Sequence, residues 1–487
     1  MSCNFKPLQG AATNAQVVDL KGENKTIDRL SPYVLLRCRQ QTGKPVGSVF
    51  RTGLHNITNR QQMKAFGQWI AALPAWVGLL LALPGVCLAQ PASLDVLHWW
   101  TSAGERRAAD QLRSLLAPAG VQWNDAAIPG GGGMAAVKVL KSRVLLGDAP
   151  DVAQLIGSTL TEWADVGLVL PLNAVAARQK WSQTLFPTVL DLVSYKGDVI
   201  AAPLGLHRIN TLLYNRRVLA HLGLQPPHSW AEFEVVARAA RAAGIKPLAW
   251  SDEVWQIATV FESLLLSEAG PTQYQEMIVQ RKSAAWLDPR VEKALQRLRW
   301  LRGLSGLNVD APVERVWTQS ARDLMDGSAA MMIMGDWTRG ELMAWGASPY
   351  SDFGCVAVPG TEHMHLYSVD TLAMLVNARH PVALQEKVAE TLSAMPAQLA
   401  YNRIKGSVPV RRDLSTAARK SLDGCARDSW DTFAAPGTAR MPSLAHRMAA
   451  DEATKDAVAQ ALWRYLSDPR MDALEAQKRL AAVMHTP

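Results

Sequence analysis

Two adjacent tryptophans, Trp99 and Trp100, close the alternating run Leu94-Asp95-Val96-Leu97-His98, and Thr101-Ser102-Ala103-Gly104-Glu105 follows them. Neighbours on a strand face opposite sides, so both indoles cannot serve one core face. At the C-terminal end of a strand, however, both can reach a cleft. A third tryptophan, Trp337, follows the apolar run Ala329–Met334 and the turn Gly335-Asp336. Of the 17 tryptophans, only Trp69 and Trp76 precede residue 90, and other aromatics are few. Flat apolar faces beside a carboxylate such as Glu105 suit a polyhydroxylated ring. Its C–H faces stack on indoles, and its hydroxyls bond to charged groups. Structural readings stand beside these. Large proteins bury tryptophan for packing, and Trp255 sits in a helical run where it can be core. Ser102-x-x-Glu105 also fits a capping box, in which the carboxylate closes a helix start.

The run Gly130 to Gly133 offers other chemistry. It lacks the Gly-Lys-Ser/Thr that completes a phosphate loop. It does match G-x-G-x-x-A, with Asp148 and Asp151 downstream, which alone is weak grounds for a dinucleotide site. A tight turn feeding a helix is the simpler reading, and no cofactor is expected. The cysteines lack the spacing of a zinc site, and no metal is expected.

The elements that must position these residues are legible in outline. Strand patterns cover residues 94–100, 121–128 and 151–155, with helices at 105–117 and 134–146 between them. This alternation implies an α/β domain with a mostly parallel sheet. Tyr195-Lys196-Gly197-Asp198 reads as a turn, and 199–203 and 207–214 as strands. Ser229 and Glu232 open a helix with a capping box. Helical periodicity then continues to about residue 304. Strand character returns at 329–334, 353–358 and 368–376, and helices close the chain. The expected architecture is α/β and two-lobed, with a multi-strand hinge and a ligand cleft between the lobes. Lobe 1 is expected to comprise 94–203 and 326–380, and lobe 2 to comprise 204–325 and 381–487. Hinge closure is how such a cleft encloses a small ligand.

Charge and cysteines bound the setting. The net charge of the 487 residues is +8. Residues 1–89 hold 10 Lys/Arg against 3 Asp/Glu, and the remainder 41 against 40. The basicity therefore belongs to the leader, and a nucleic-acid partner loses its support. Met63-Lys64, the apolar stretch from Ile70 to Leu83, Pro84-Gly85 and Ala89 follow the order of a secretory signal. Residues 63–89 are read as that signal, and 1–62 as a mis-called or disordered extension. The apolar stretch is short for a spanning helix, which needs about 20 residues. After residue 89 only Cys355 and Cys425 remain, which in an exported protein read as a disulfide or as two unrelated thiols.

Several segments together resemble the extracellular solute-binding proteins of sugar ABC transporters, in the glucose-binding branch. They include residues 97–102 with Gly104-Glu105, Ala153-Gln154-Leu155 and His207-Arg208-Ile209-Asn210. Trp255-Gln256 with residues 258–262, and Met334-Gly335-Asp336-Trp337, follow in order. Val358-Pro359-Gly360-Thr361, Val369-Asp370, Lys405-Gly406-Ser407 and His446 complete the set. The resemblance implies a monomeric periplasmic receptor without catalysis, a monosaccharide ligand, an ABC permease as partner, and a Cys355–Cys425 disulfide. It implies that Trp99, Trp100, Glu105, Trp255, Trp337, Asp370, Lys405 and His446 contact the sugar. The structural alternatives are a hinge salt bridge for Asp370 and Lys405, and a buried histidine for His446. Relatives carry Gln-Leu-Lys-Gly where this chain has Gln154-Leu155-Ile156-Gly157. That lysine is a sugar contact, so a different hydroxyl pattern, a deoxy sugar or weaker binding is expected. Two competing functions share these residues. One is a secreted glycosidase with Glu105 and Asp370 as its carboxylate pair. The other is a sugar receptor that feeds a sensor instead of a permease.

Overall fold

The computed structural model describes residues 92–130, 133–307, 315–377 and 379–485, and four short strands within residues 1–88. Those four strands pair in two antiparallel couples, Ser2–Cys3 with Cys38–Arg39 and Asn14–Val18 with Asn24–Asp28. They form a unit of their own, separate from Ala89–Pro487. The signal read at 63–89 lies outside the described residues, as do Gly131 and Gly132.

Among the described residues of the larger unit, ten strands build two sheets. They are β1 (Ala92–His98), β2 (Val121–Ala127), β3 (Val152–Gln154), β4 (Ala202–Arg208) and β5 (Thr211–Asn215). The rest are β6 (Lys246–Leu248), β7 (Ala329–Ile333), β8 (Phe353–Ala357), β9 (Met364–Met374) and β10 (Ala439–Pro442). The first sheet has the order β4-β9-β3-β1-β2, with β10 beside β9. The second has the order β6-β7-β5-β8. β1 runs parallel to β2 and β3, as the strand–helix–strand alternation predicts, whereas the long β9 runs antiparallel to β3 and β4.

Alternation along β1 divides the first lobe's core. Leu94, Val96 and Trp100 pack with the helix Ala103–Leu116 on one side. Leu97 and Trp99 pack with Leu140, Ile156 and Leu160 on the other. The two indoles thus face opposite ways, as strand geometry requires. The second lobe buries its sheet under the helices Val254–Tyr274 and Pro289–Leu304. Among the described residues no helix is long and apolar enough to cross a membrane.

Two expectations are corrected here. The run read as one strand over 207–214 is two, β4 ending at Arg208 in the first sheet and β5 starting at Thr211 in the second. Ile209-Asn210 carries the chain across, and Asn210 spends its amide on Thr361 and Met364. The expected lobe boundaries at 326–380 and 381–487 also do not match the pairing. β7 and β8 belong to the second sheet, and within 326–380 only β9 joins the first. The helices Val382–Ser393 and Met395–Lys405 pack on the first sheet's side, through Val388, Leu392 and Tyr401. An apolar run states that a strand is buried but not beside which strand. The chain passes between lobes at 209–210, 358–363 and 443–451.

The turn at 195–198 and the helix start at Ser229 are as read. Lys196 and Gly197 both take positive φ in a hairpin joining Ser194–Tyr195 to Asp198–Val199. Ser229 Oγ accepts from the Glu232 N–H at 3.2 Å, and Glu232 answers the Ser229 N–H at 3.1 Å.

Candidate functional site

A cavity of about 380 Å³ opens where the crossings meet, and all eight residues expected at the site line it. Trp99 and Trp100 arrive from the end of β1, and Glu105 from the first turn of the helix behind them. Asp370 comes from β9 and Lys405 from the last turn of the helix Met395–Lys405. Trp255 opens the helix Val254–Tyr274, Trp337 opens the helix Trp337–Ala344, and His446 lies on the last crossing. Ile156, Gly130, His207, Glu253 and Trp317 also line it.

The charged tips are arranged around Lys405. Its Nζ lies 3.5 Å from Glu105 Oε1 and 3.9 Å from Asp370 Oδ2. Gly406 ends this helix at φ +91°, a left-handed cap that glycine adopts without a Cβ clash. A side chain there would also meet the Asp336 carbonyl at 2.6 Å. Glu105 serves twice. Its Oε2 accepts the Thr101 and Ser102 N–H groups at 3.1 and 3.2 Å, as a capping residue does. Its Oε1 is left for Lys405.

Asp370 is buried and held from three sides. Gln154 Nε2 donates to Oδ1 at 3.1 Å, and Tyr401 Oη donates to Oδ2 at 3.1 Å. His207 Nε2 lies 3.2 Å from Oδ2. Burial alone would raise this carboxyl's pKa. The Lys405 charge, with His207 and Tyr401, outweighs burial and holds it below the usual carboxylate range. Burial and the neighbouring carboxylate push Tyr401 well up, so its hydroxyl remains a donor. The pairing of Asp370 with Lys405 noted as a structural alternative is therefore present, but it lies in the cavity wall.

Another part of the wall is aromatic. Trp255 and Trp337 lie 6.2 Å apart between ring centroids, and Trp317 meets Trp255 edge-on at 6.5 Å. His446 stands edge-on to Trp337 at 5.0 Å. Burial, then the Arg447 charge, lowers His446 to about 3, so it is neutral. Its tautomer follows from its partner. Thr259 Oγ1 donates its one proton to the Trp255 carbonyl at 2.8 Å and can only accept from His446 Nε2 at 3.1 Å. Nδ1 is then an acceptor. The indole Nε1 atoms of Trp100 and Trp255 are buried without an acceptor among the described residues. Trp100 is the deeper residue, packed on Tyr401 at 6.0 Å and belonging to the core as well as to the cavity wall.

The turn that presents His446 is clamped by Glu262, a buried carboxyl on the helix Val254–Tyr274. Glu262 accepts from Ser443 Oγ at 2.5 Å and from the Leu444 and Ala445 N–H groups at 2.9 and 3.3 Å. Tyr274 Oη lies 3.3 Å away, but its single proton has the Pro442 carbonyl at 3.0 Å. A protonated Glu262 resolves that competition by donating to the phenol. Burial pushes Glu262 up to about 7, against the bonds that lower it. The fold therefore penalises the charged form. The stability that neutral Glu262 contributes is complete below its unfolded value near 4.5 and is lost as pH rises through about 7. Glu262→Gln is expected to remove this slope. Thermal melts from pH 4.5 to 8 should show the variant gaining on wild type by about 2–3 kcal/mol across that window. Parallel curves would refute the assignment.

Gly157 fixes the loop that carries Ile156. It has φ +54°, and a Cβ there would overlap the Arg447 carbonyl. That carbonyl accepts the Ser158 N–H at 2.9 Å. Ile156 is thus pinned beside the His446 turn, and it presents apolar bulk.

Reasoning from sequence missed Gln154, His207, Glu253, Trp317 and Tyr401 as parts of the site. Gln154 and His207 lie within the resembling segments, and that was their only signal. Glu253 accepts the Trp317 N–H at 2.6 Å, a contact between residues 64 apart that no local pattern reveals. Among the described residues no cluster of His, Cys, Asp and Glu could hold a metal ion. Cys355 and Cys425 form a disulfide.

The sequence pattern of the bacterial extracellular solute-binding proteins matches residues 116–395. A probable sugar-binding periplasmic protein of Brucella suis biovar 1 is 31% identical over 395 residues, covering 80% of this chain and 92% of that one. A xylose/arabinose-binding protein of Haloferax volcanii is 25% identical over 300 residues, or 60% of this chain and 62% of that one. A crystallised bacterial solute receptor with an exclusive preference for β-D-galactopyranose has the same fold, with a TM-score of 0.67 at 18% identity, covering 80% of this chain and 97% of that one. With two lobes, crossings that meet at a lined cleft, and a family match across more than half its length, this chain belongs to the bacterial extracellular solute-binding proteins, which are binding proteins and not enzymes.

Proposed function

We propose that the cleft binds one aldose ring in the periplasm, and that its closure presents the sugar to the permease of an ABC importer. One observation carries this reading. Aromatic faces from Trp255, Trp317 and Trp337 share a cavity of about 380 Å³ with Glu105, Asp370 and Lys405. The indoles suit the C–H faces of a pyranose, and the charged tips suit its hydroxyls. Trp99, Trp100, Glu105, Trp255, Trp337, Asp370, Lys405 and His446 are the contacts in this reading. The names of the Brucella and Haloferax relatives, sugar-binding and xylose/arabinose-binding, agree with an aldose. Binding that favours the closed over the open state is the whole mechanism, since a ligand shifts an equilibrium only by its differential affinity.

Calorimetry with D-glucose, D-galactose, D-xylose and L-arabinose tests it, together with mass spectrometry of copurified ligand. One-to-one binding of at least one aldose is expected, and silence across the panel with no sugar retained would sink the reading. The glycosidase alternative has a specific objection. Lys405 and His207 keep Asp370 ionised, which is wrong for a general acid. Steady hydrolysis of nitrophenyl glycosides would reinstate it.

Ile156 lines the cavity, at the position where the resemblance to the glucose-binding branch implies a lysine. A lysine there adds a charged donor, and one charge-assisted hydrogen bond is worth about 1.5–3 kcal/mol. Ile156→Lys is therefore expected to tighten D-glucose binding roughly tenfold or more. Equal affinity in the two proteins would show that this position does not set specificity.

A further inference from the structure

We infer that His207 is a positioning residue of the cleft, whose ring bonds a hinge carboxylate and a site carboxylate at once and so fixes the orientation of the Asp370 carboxylate. Nδ1 lies 2.5 Å from Asp336 Oδ1, and Nε2 lies 3.2 Å from Asp370 Oδ2. The ring is 3% exposed. Both ring nitrogens are taken by carboxylates, so His207 lines the cavity without a free N–H for a sugar.

The three residues come from three elements. His207 lies on β4, one residue before that strand ends at the first crossing. Asp370 lies on β9, in the first sheet. Asp336 precedes Trp337 in the turn that leaves β7 of the second sheet, and its Oδ2 also accepts the Arg208 N–H at 2.9 Å. The ring of His207 meets Trp337 edge-on at 5.5 Å. One imidazole therefore ties the polar wall of the cleft to the turn that carries its aromatic wall.

Two carboxylate acceptors require two N–H donors, so the bridge is complete only in the imidazolium form. A neutral ring turns a lone pair toward one of the carboxylates and breaks that bond. The surrounding charges favour the imidazolium. Burial works against it, but Asp336 and Asp370 outweigh burial and raise the pKa. The other groups facing this cluster are Lys405 and Tyr401 on the helix Met395–Lys405, and Glu105 across from Lys405. Arg208 follows His207 on its own strand and pairs with Asp428 at 2.8 Å. His446, neutral, lies beyond Trp337.

The stability that the bridge contributes is complete below the unfolded value near 6.5, and the bridge itself breaks as pH rises through the higher folded value. Sugar affinity should fall over the same interval.

This inference rests on the reading of the cleft as a sugar site, and its test separates the two. Nitrogen-15 NMR of the imidazoles in the wild-type chain, without ligand, should show both His207 nitrogens protonated at pH 7. A neutral tautomer at pH 7 would overturn the inference whatever the ligand. Calorimetry with D-glucose between pH 6 and 10 should show affinity falling roughly tenfold as the bridge is lost. His207→Gln carries both its N–H donors on one nitrogen and does not titrate, so it is expected to bind D-glucose roughly tenfold more weakly at pH 7 with a flat profile over that interval. A parallel pH dependence in the variant would also overturn the inference. Failure of the chain to bind D-glucose or any other aldose would count against the sugar reading, while the imidazole spectrum would still decide the bridge.

Discussion

Lys405→Met is expected to weaken sugar binding at least a hundredfold and to cost the unliganded protein about 3 kcal/mol at pH 7. Lys405 is 4% exposed, and its ammonium is the cation that Glu105 and Asp370 share, at 3.5 and 3.9 Å. Methionine keeps much of the stem's volume and removes the charge. Two carboxylates then face each other across a poorly solvated cleft. Removing one partner of a buried pair is expensive because the remaining charge is stranded, not because the pair itself was strong. Lys405 is the largest of the interactions that hold the Asp370 pKa down against burial. Asp370's contribution to stability is present above its unfolded value near 3.8 and is lost as pH falls through its lower folded value. In the variant the folded value rises, so the deficit at neutral pH should narrow in acid. Denaturant melts at pH 7 and pH 4 would show this. The double variant Lys405→Met/Asp370→Asn should recover part of the loss, since it removes a stranded charge. Additive losses in that double variant would contradict the account.

Opening the disulfide is the second large effect. Cys355 lies on β8 of the second sheet. Cys425 lies on the helix Gly424–Ala434, whose Ala426, Trp430 and Phe433 pack in the first lobe's core. The bond therefore ties one lobe to the other, close to Asp336 and Arg208 at the crossings. It closes a loop with a sequence separation of 70. Chain-entropy arguments give about 4 kcal/mol for a loop of this length. The variant Cys355→Ala/Cys425→Ala should lose about that amount in urea unfolding, and wild type under reductant should match it. A loss below about 1 kcal/mol would mean that the lobes are held together mainly by packing.

How much of this was legible in the chain differs by residue. The division of labour between Trp99 and Trp100 was legible, because strand alternation alone puts adjacent side chains on opposite faces. Glu105 was legible as a cap from Ser102 three residues earlier, and the structure adds that its second oxygen faces Lys405. The parallel pairing of β1, β2 and β3 followed from the strand–helix alternation. The break within 207–214 was hidden, because Ile209 and Asn210 fit a strand pattern as well as a crossing. The placement of β7 and β8 in the second sheet was hidden too, since buried strands carry similar apolar runs in either sheet. Glu253 and Tyr401 gave no local sign of a role.

By itself the sequence determined the α/β class, the periodicities that build each element, and the residue types able to grip a hydroxylated ring. These are short-range properties, set by side-chain alternation, caps and turns within a few residues. Tertiary structure alone decided that β9, the Lys405 helix and the turn before Trp337 meet at one cavity, and that His207 stands between Asp336 and Asp370. The contacts of His207 with Asp336 and Asp370 join residues 129 and 163 positions apart. Their energy comes from burial and from charges brought within 4 Å, which exist only once the lobes have packed.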